Sequence, residues 1–160
     1  MIFHVSMEFD DPKKLSEVIA EIWEGESRPI FDLVDGAYMA FCGYGNRHLS
    51  AIEVYPAGTD LVESEGDACF TGPKRAGRRP TATHVALSTR LDAEKVIEIG
   101  RREGWAAKCS PRIDGEGVTH FSVIEMWPDE FTLIEWLTPE MQRDYNKSVS
   151  QYNGLEEVEL

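Results

Sequence analysis

The sequence predicts an α+β protein made of two tandem β-α-β-β-β modules, and three observations predict it. Residues 2–23 (IFHVSMEFDDPKKLSEVIAEIW) and 82–105 (ATHVALSTRLDAEKVIEIGRREGW) follow one plan. Each opens on an alternating strand containing His-Val, reaches an Asp, continues in a helical pattern and ends on Trp; a repeat of this kind marks one structural unit used twice. After each stretch come three strand-like runs separated by turn residues. The last run of each module carries a lone Glu directly after Ile, Ile52-Glu53 in one and Ile134-Glu135 in the other.

The elements follow in order. After the first strand Asp11 can cap a helix, and Pro12 suits the first helical position because its missing N–H would have no partner there. Leu15, Val18, Ile19 and Ile22 then recur at i, i+3, i+4 and i+7, the spacing of one helix face. The three strand candidates of this module are Ile30–Val34, Ala37–Cys42 and Leu49–Tyr55, broken by Asp35-Gly36 and by Gly43-Tyr44-Gly45-Asn46. Residues 57–80 are rich in Gly and Pro and read as a linker. Its bases Lys74, Arg75, Arg78 and Arg79 read as a solvated run, with an arm over an anionic substrate as the sharper alternative.

In the second module Asp92 caps, Ala93, Val96, Ile97 and Gly100 form the apolar stripe, and Gly104 stops the helix. Strand candidates Ala106–Ser110, Val118–Met126 and Phe131–Leu137 are broken by Asp114-Gly115-Glu116-Gly117 and by Pro128-Asp129. Residues 139–152 form a short amphipathic tail helix, and the acidic end then frays. The organisation is therefore a first module over 1–56, a linker over 57–80, a second module over 81–138 and a tail over 139–160.

Composition narrows the function classes. With 160 residues and 42% hydrophobic content the chain can bury a core without covalent staples. Its three cysteines are an odd number without CxxC spacing, which indicates neither a disulfide framework nor a thiolate zinc site and fits a reducing cytoplasm. No apolar run approaches the ~20 residues of a membrane span, and Met1 leads straight into strand-like sequence, so no membrane association is expected. The net charge of −13 would repel a phosphate backbone, so nucleic acid is not an expected partner.

A carboxylate in mid-strand is disfavoured by propensity and costly to bury unpaired. A single strand His is more often a hydrogen-bonded core or surface residue, and a single strand Glu more often faces water. The joint pattern is more pointed. His4 and His84 lie 80 residues apart and Glu53 and Glu135 lie 82 apart, so all four fall at matching places of the repeat. Two imidazoles and two carboxylates in register suggest a four-ligand site for a divalent ion such as Zn, Ni, Co, Mn or Fe. His48 reads as an exposed loop residue, and His120 as a strand residue that could line a cleft. Arg47 and Arg112 read as solvated positions near loops. Tyr38, Phe41, Tyr44, Tyr55, Trp127 and Trp136 read mostly as core.

These residues carry a resemblance to the vicinal oxygen chelate superfamily, which includes glyoxalase I, methylmalonyl-CoA epimerase, extradiol dioxygenases, and the fosfomycin and bleomycin resistance proteins. It extends over nearly all of residues 1–138. Its most telling stretch is Trp127-Pro128-Asp129-Glu130-Phe131-Thr132-Leu133-Ile134-Glu135, similar to the family's turn, strand and Ile-Glu ending. The resemblance implies a curved mixed sheet around a cleft, with His4, Glu53, His84 and Glu135 as the metal ligands. It also implies a metal that stabilises an enediolate or similar oxyanion, with Glu53 or Glu135 as the base. Epimerases usually carry Gln where Glu53 stands, and glyoxalase I typically continues past that Glu with Leu-Thr, where this chain has Val54-Tyr55-Pro56.

The expectation is thus a glyoxalase-like, divalent-metal-dependent enzyme of lyase or isomerase type, acting on a small carbonyl or vicinal-oxygen substrate as a homodimer. One alternative is a two-His-one-Glu Fe(II) dioxygenase using His4, His84 and Glu135. Another is a metal-free small-molecule binding protein of the bleomycin-resistance type.

Overall fold

The computed structural model describes residues 3–30, 34–44, 50–62, 69–71 and 82–153. The chain divides into two units, Met1–Arg79 and Pro80–Leu160.

The first unit runs β1 (His4–Phe9), α1 (Pro12–Ile22), β2 (Glu26–Pro29), β3 (Tyr38–Phe41) and β4 (Ala51–Pro56). Its sheet has the order β1-β4-β3-β2, with β1 parallel to β4 and the other neighbours antiparallel. The predicted start of α1 holds: the Asp11 side chain accepts a hydrogen bond from the Lys14 N–H at 3.0 Å, with Pro12 opening the helix. Leu15, Val18, Ile19 and Ile22 are buried, and Ile52, Val54 and Ala40 are buried in the sheet. Burial of such side chains stabilises by about 1.5–3 kcal/mol each, which is why the helical stripe fixes the side of the sheet that α1 covers.

The second strand lies elsewhere than expected. The predicted Ile30–Val34 gives way to Glu26–Pro29, paired from Glu26↔Phe41 to Pro29↔Tyr38. This strand is outermost in its sheet, where polar residues and a proline are tolerated because one side needs no ladder partner. Residues 31–33 lie outside the described residues. Within the segment read as a linker, β5 (Asp60–Val62) and β6 (Cys69–Thr71) form a two-stranded antiparallel sheet. The basic run Lys74–Arg79 lies outside the described residues.

The second unit repeats the plan with β7 (Val85–Ser88), α2 (Ala93–Arg102), β8 (Ala106–Ile113), β9 (Thr119–Trp127) and β10 (Ile134–Leu137), in the order β7-β10-β9-β8. Again the first and last strands pair in parallel and the rest antiparallel. Asp92 caps α2 through the Lys95 N–H at 2.8 Å. The buried face of α2 is Val96, Ile99 and Gly100, so Ile99 takes the inward place predicted for Ile97, which is half-buried. Trp23 and Trp105, the repeat's closing residues, are both buried. A last helix, α3 (Pro139–Asn153), packs against β9, where Tyr145 meets Phe121 edge to face with ring centres 5.0 Å apart.

Each unit is therefore built on a four-stranded mixed sheet with a helix packed against it, the second unit adding α3, an α+β architecture as predicted. Among the described residues no helix is long and apolar enough to cross a membrane.

Candidate functional site

In the first unit β1 and β4 run side by side with Ser6 opposite Glu53. Alternation along a strand puts His4, Ser6 and Glu8 on the face that Glu53 and Tyr55 share, away from the apolar face that Ile52 and Val54 present. His4 Nε2 stands 3.8 Å from Glu53 Oε2, with His4 54% exposed and Glu53 only 12%. Glu53 thus does not point at solvent. The same oxygen accepts hydrogen bonds from the Ser6 hydroxyl at 2.8 Å and the Tyr55 hydroxyl at 3.0 Å, which offset the cost of withdrawing the carboxylate from water. Burial first, then the hydrogen bond to Glu53 and its charge, push the Tyr55 phenol above the ordinary range, so Tyr55 stays a donor.

The second unit repeats the placement with different support. Ala86 lies opposite Glu135 as Ser6 lies opposite Glu53. His84 Nε2 is 3.9 Å from Glu135 Oε2, with exposures of 46% and 13%. Here Glu135 Oε1 accepts from the Arg112 guanidinium, which also donates to Glu125 at 3.0 Å and to Ser110 at 3.1 Å. Lys108 adds an ion pair to Glu125 at 3.7 Å. Burial alone would raise the Glu125 carboxyl, but hydrogen bonds from Arg112 and Ser110 and the charges of Arg112 and Lys108 hold it below the ordinary value. Burial likewise works against the Arg112 guanidinium, and its two carboxylate partners outweigh that and raise it.

Arg112 is thus not the solvated loop residue expected. It belongs to β8, is half-buried, and anchors one of the four predicted ligands. His120 lies on β9 with Nε2 2.9 Å from Asp114 Oδ2, and together with Arg112, Phe121 and Val149 it lines a pocket of about 390 Å³ beside α3. The hydrogen bond from the Val118 N–H, ahead of the contact with His120, holds the Asp114 carboxyl below its usual range. Arg47 and His48 lie outside the described residues. Among the aromatics expected in the core, Tyr55 and Trp136 are buried, while Tyr38, Phe41, Tyr44 and Trp127 are half-buried.

The structure therefore brings His4 to Glu53 and His84 to Glu135, each pair within one unit. Among the described residues no three His, Cys, Asp or Glu side chains converge closely enough to hold a metal ion, so a unit by itself offers a pair of donors rather than a complete site. Imidazole nitrogen and carboxylate oxygen suit first-row divalent ions. Donors about 2.0–2.1 Å from a shared ion stand roughly 3.3 Å apart at a tetrahedral angle and about 4.1 Å apart when opposite. The separations of 3.8 and 3.9 Å are wider than the tetrahedral spacing and short of the opposite one, so each pair would close slightly to share an ion in tetrahedral geometry.

No protein-family profile and no curated protein sequence matches the chain. Solved structures do. The fosfomycin resistance protein FosX of Listeria monocytogenes superposes with a TM-score of 0.52 at 14% identity, over 90% of this chain and 94% of that one. The trypanothione-dependent glyoxalase I of Leishmania major gives 0.51 at 14% identity over 96% and 97%. A hypothetical protein of S. aureus gives 0.50 at 8% identity over 86% and 96%. At such identities the likeness establishes the fold, and the fold is the vicinal oxygen chelate fold.

Proposed function

We propose that the protein is a glyoxalase-like enzyme in which His4, Glu53, His84 and Glu135 ligate one divalent cation, and that its substrate is a small carbonyl or vicinal-oxygen compound. One observation carries the reading. In both units the residue two after the His lies opposite the Glu, so two sheets built from different sequences present the same imidazole–carboxylate pair at the same register. A shared fold alone would not demand this, because a fold hosts many chemistries. The fold shared with a glyoxalase and a fosfomycin resistance protein supports the reading at that coarser level.

A bound divalent ion would act as a Lewis acid on substrate oxygens. The chain's own groups would do the rest. Glu53 would take and return a proton, its carboxylate steered by Ser6 and Tyr55, and Arg112 would hold Glu135 in place.

The test is metal analysis of protein purified without chelator or affinity-tag metal. The expected result is about one divalent ion per chain, lost in His84→Ala while the fold persists. No ion in the wild type after Ni, Zn, Mn and Fe are added back would overturn the proposal. The pocket beside Arg112 favours a second reading, a metal-free binding protein. Under that reading a chelator leaves the melting temperature unchanged; under the first it lowers it, because a ligand held only by the folded state stabilises by mass action.

A further inference from the structure

We infer that the two half-sites are unequal: His84 and Glu135 form a pre-ordered anchor for the cation, and His4 and Glu53 complete the site and release first. The inference rests on the proposed shared metal site and assigns an order within it.

The imidazoles differ in what holds them. His84 Nδ1 lies 3.0 Å from the Ala82 carbonyl oxygen, and a carbonyl only accepts. Nδ1 therefore carries a proton, and Nε2 is the ring atom left to ligate on the side toward Glu135. A backbone carbonyl that fixes tautomer and ring orientation in this way is a usual outer partner of a ligating histidine. Among the described residues no such bond holds the second nitrogen of His4.

The carboxylates differ in the same sense. In Glu135 the oxygen bound by Arg112 is Oε1, and Oε2 is the one that faces His84. Among the described residues Oε2 accepts no hydrogen bond, so it is presented bare while its partner oxygen is tethered. Arg112 is itself fixed by Ser110 and Glu125, so the tether is rigid. In Glu53 the oxygen that faces His4 is Oε2, the atom that already accepts two hydroxyl protons, from Ser6 and from Tyr55. A carboxylate oxygen has about two lone-pair sites. To ligate through this atom Glu53 must share or shed a hydroxyl, and each hydroxyl favours the unligated state. Ser6 and Tyr55 are then positioning residues that keep Glu53 exchangeable, and Arg112 is a positioning residue that keeps Glu135 in place.

The experiment is calorimetric titration of Ni(II) into the full-length chain and into His4→Ala, Glu53→Gln, His84→Ala and Glu135→Gln, each checked for an unchanged circular dichroism spectrum. The second-unit variants should lose at least about tenfold more affinity than their first-unit counterparts, within the range that loss of site order produces. Equal losses, or larger ones in the first unit, would overturn the inference while leaving the metal site intact; no binding in the wild type would overturn both. The cause is read separately in a Ser6→Ala, Tyr55→Phe background. There Glu53→Gln should cost as much as Glu135→Gln, because the oxygen is released for ligation. An undiminished gap would show that the hydroxyls do not set the order.

Discussion

The charge of Arg112 is tolerated in a half-buried position because Glu125 and Glu135 both face it, and Glu125 is the partner that also binds Lys108. Replacing Glu125 with Gln leaves that guanidinium with one carboxylate instead of two. The expected cost is about 1–3 kcal/mol, read from thermal unfolding at neutral pH. The pH dependence has a definite sign. The Glu125 carboxyl is held below its ordinary value of 4.5, so its contribution is present above that pH and is lost as pH falls below it. Glu125→Gln should therefore flatten the acid limb of the stability profile, and a limb identical to the wild type would contradict the pairing. Glu125 carried the same mark in the sequence as the two predicted ligands, an acid after Ile inside an apolar strand. The first unit has Met39 opposite Glu53 where the second has Glu125 opposite Glu135, so this acid is not repeated between the units. Ser6 and Tyr55 were hidden for another reason. Alternation puts each on the same face as its neighbour two residues away, but only the pairing register, which composition does not encode, brings them to one oxygen.

The helices were legible because their signals are local: a capping Asp, an initial Pro and a stripe at helical spacing each act within a few residues. The edge strand β2 was not, since its partner β3 decides its position and a polar sequence suffices at a sheet margin. The ends of the two helices invite a test at this scale. After α1, Glu24 adopts a left-handed backbone with φ of 48°, and after α2 the matching residue is Gly104 with φ of 79°. A side chain in that conformation costs about 1–2 kcal/mol, and the extra freedom of glycine in the unfolded chain takes back part of the gain. Glu24→Gly should thus stabilise the first unit by about 0.5–1 kcal/mol in denaturant unfolding. Loss of stability would mean that the exposed Glu24 side chain contributes more than its backbone strain costs.

For the whole molecule, a charge of −13 on 160 residues makes self-repulsion a general load on the folded state. Raising salt from about 10 mM to about 150 mM shortens the screening length from roughly 30 Å to about 8 Å and should raise the melting temperature. A decrease would mean that ion pairs such as Arg112 with its two carboxylates outweigh the diffuse repulsion. The repeat made the two-unit plan readable end to end, because each unit restates the other's pattern of strand, cap, helix and Trp. The strand order has one more consequence. His4 and His84 lie on or beside the outermost strands β1 and β7, each bonded within its own sheet to a single neighbour, whereas Glu53 and Glu135 ride on β4 and β10, which are clasped from both sides. Local opening is easiest where fewest ladder bonds must break. In each unit the backbone that carries the carboxylate is accordingly held more firmly than the backbone that carries the imidazole.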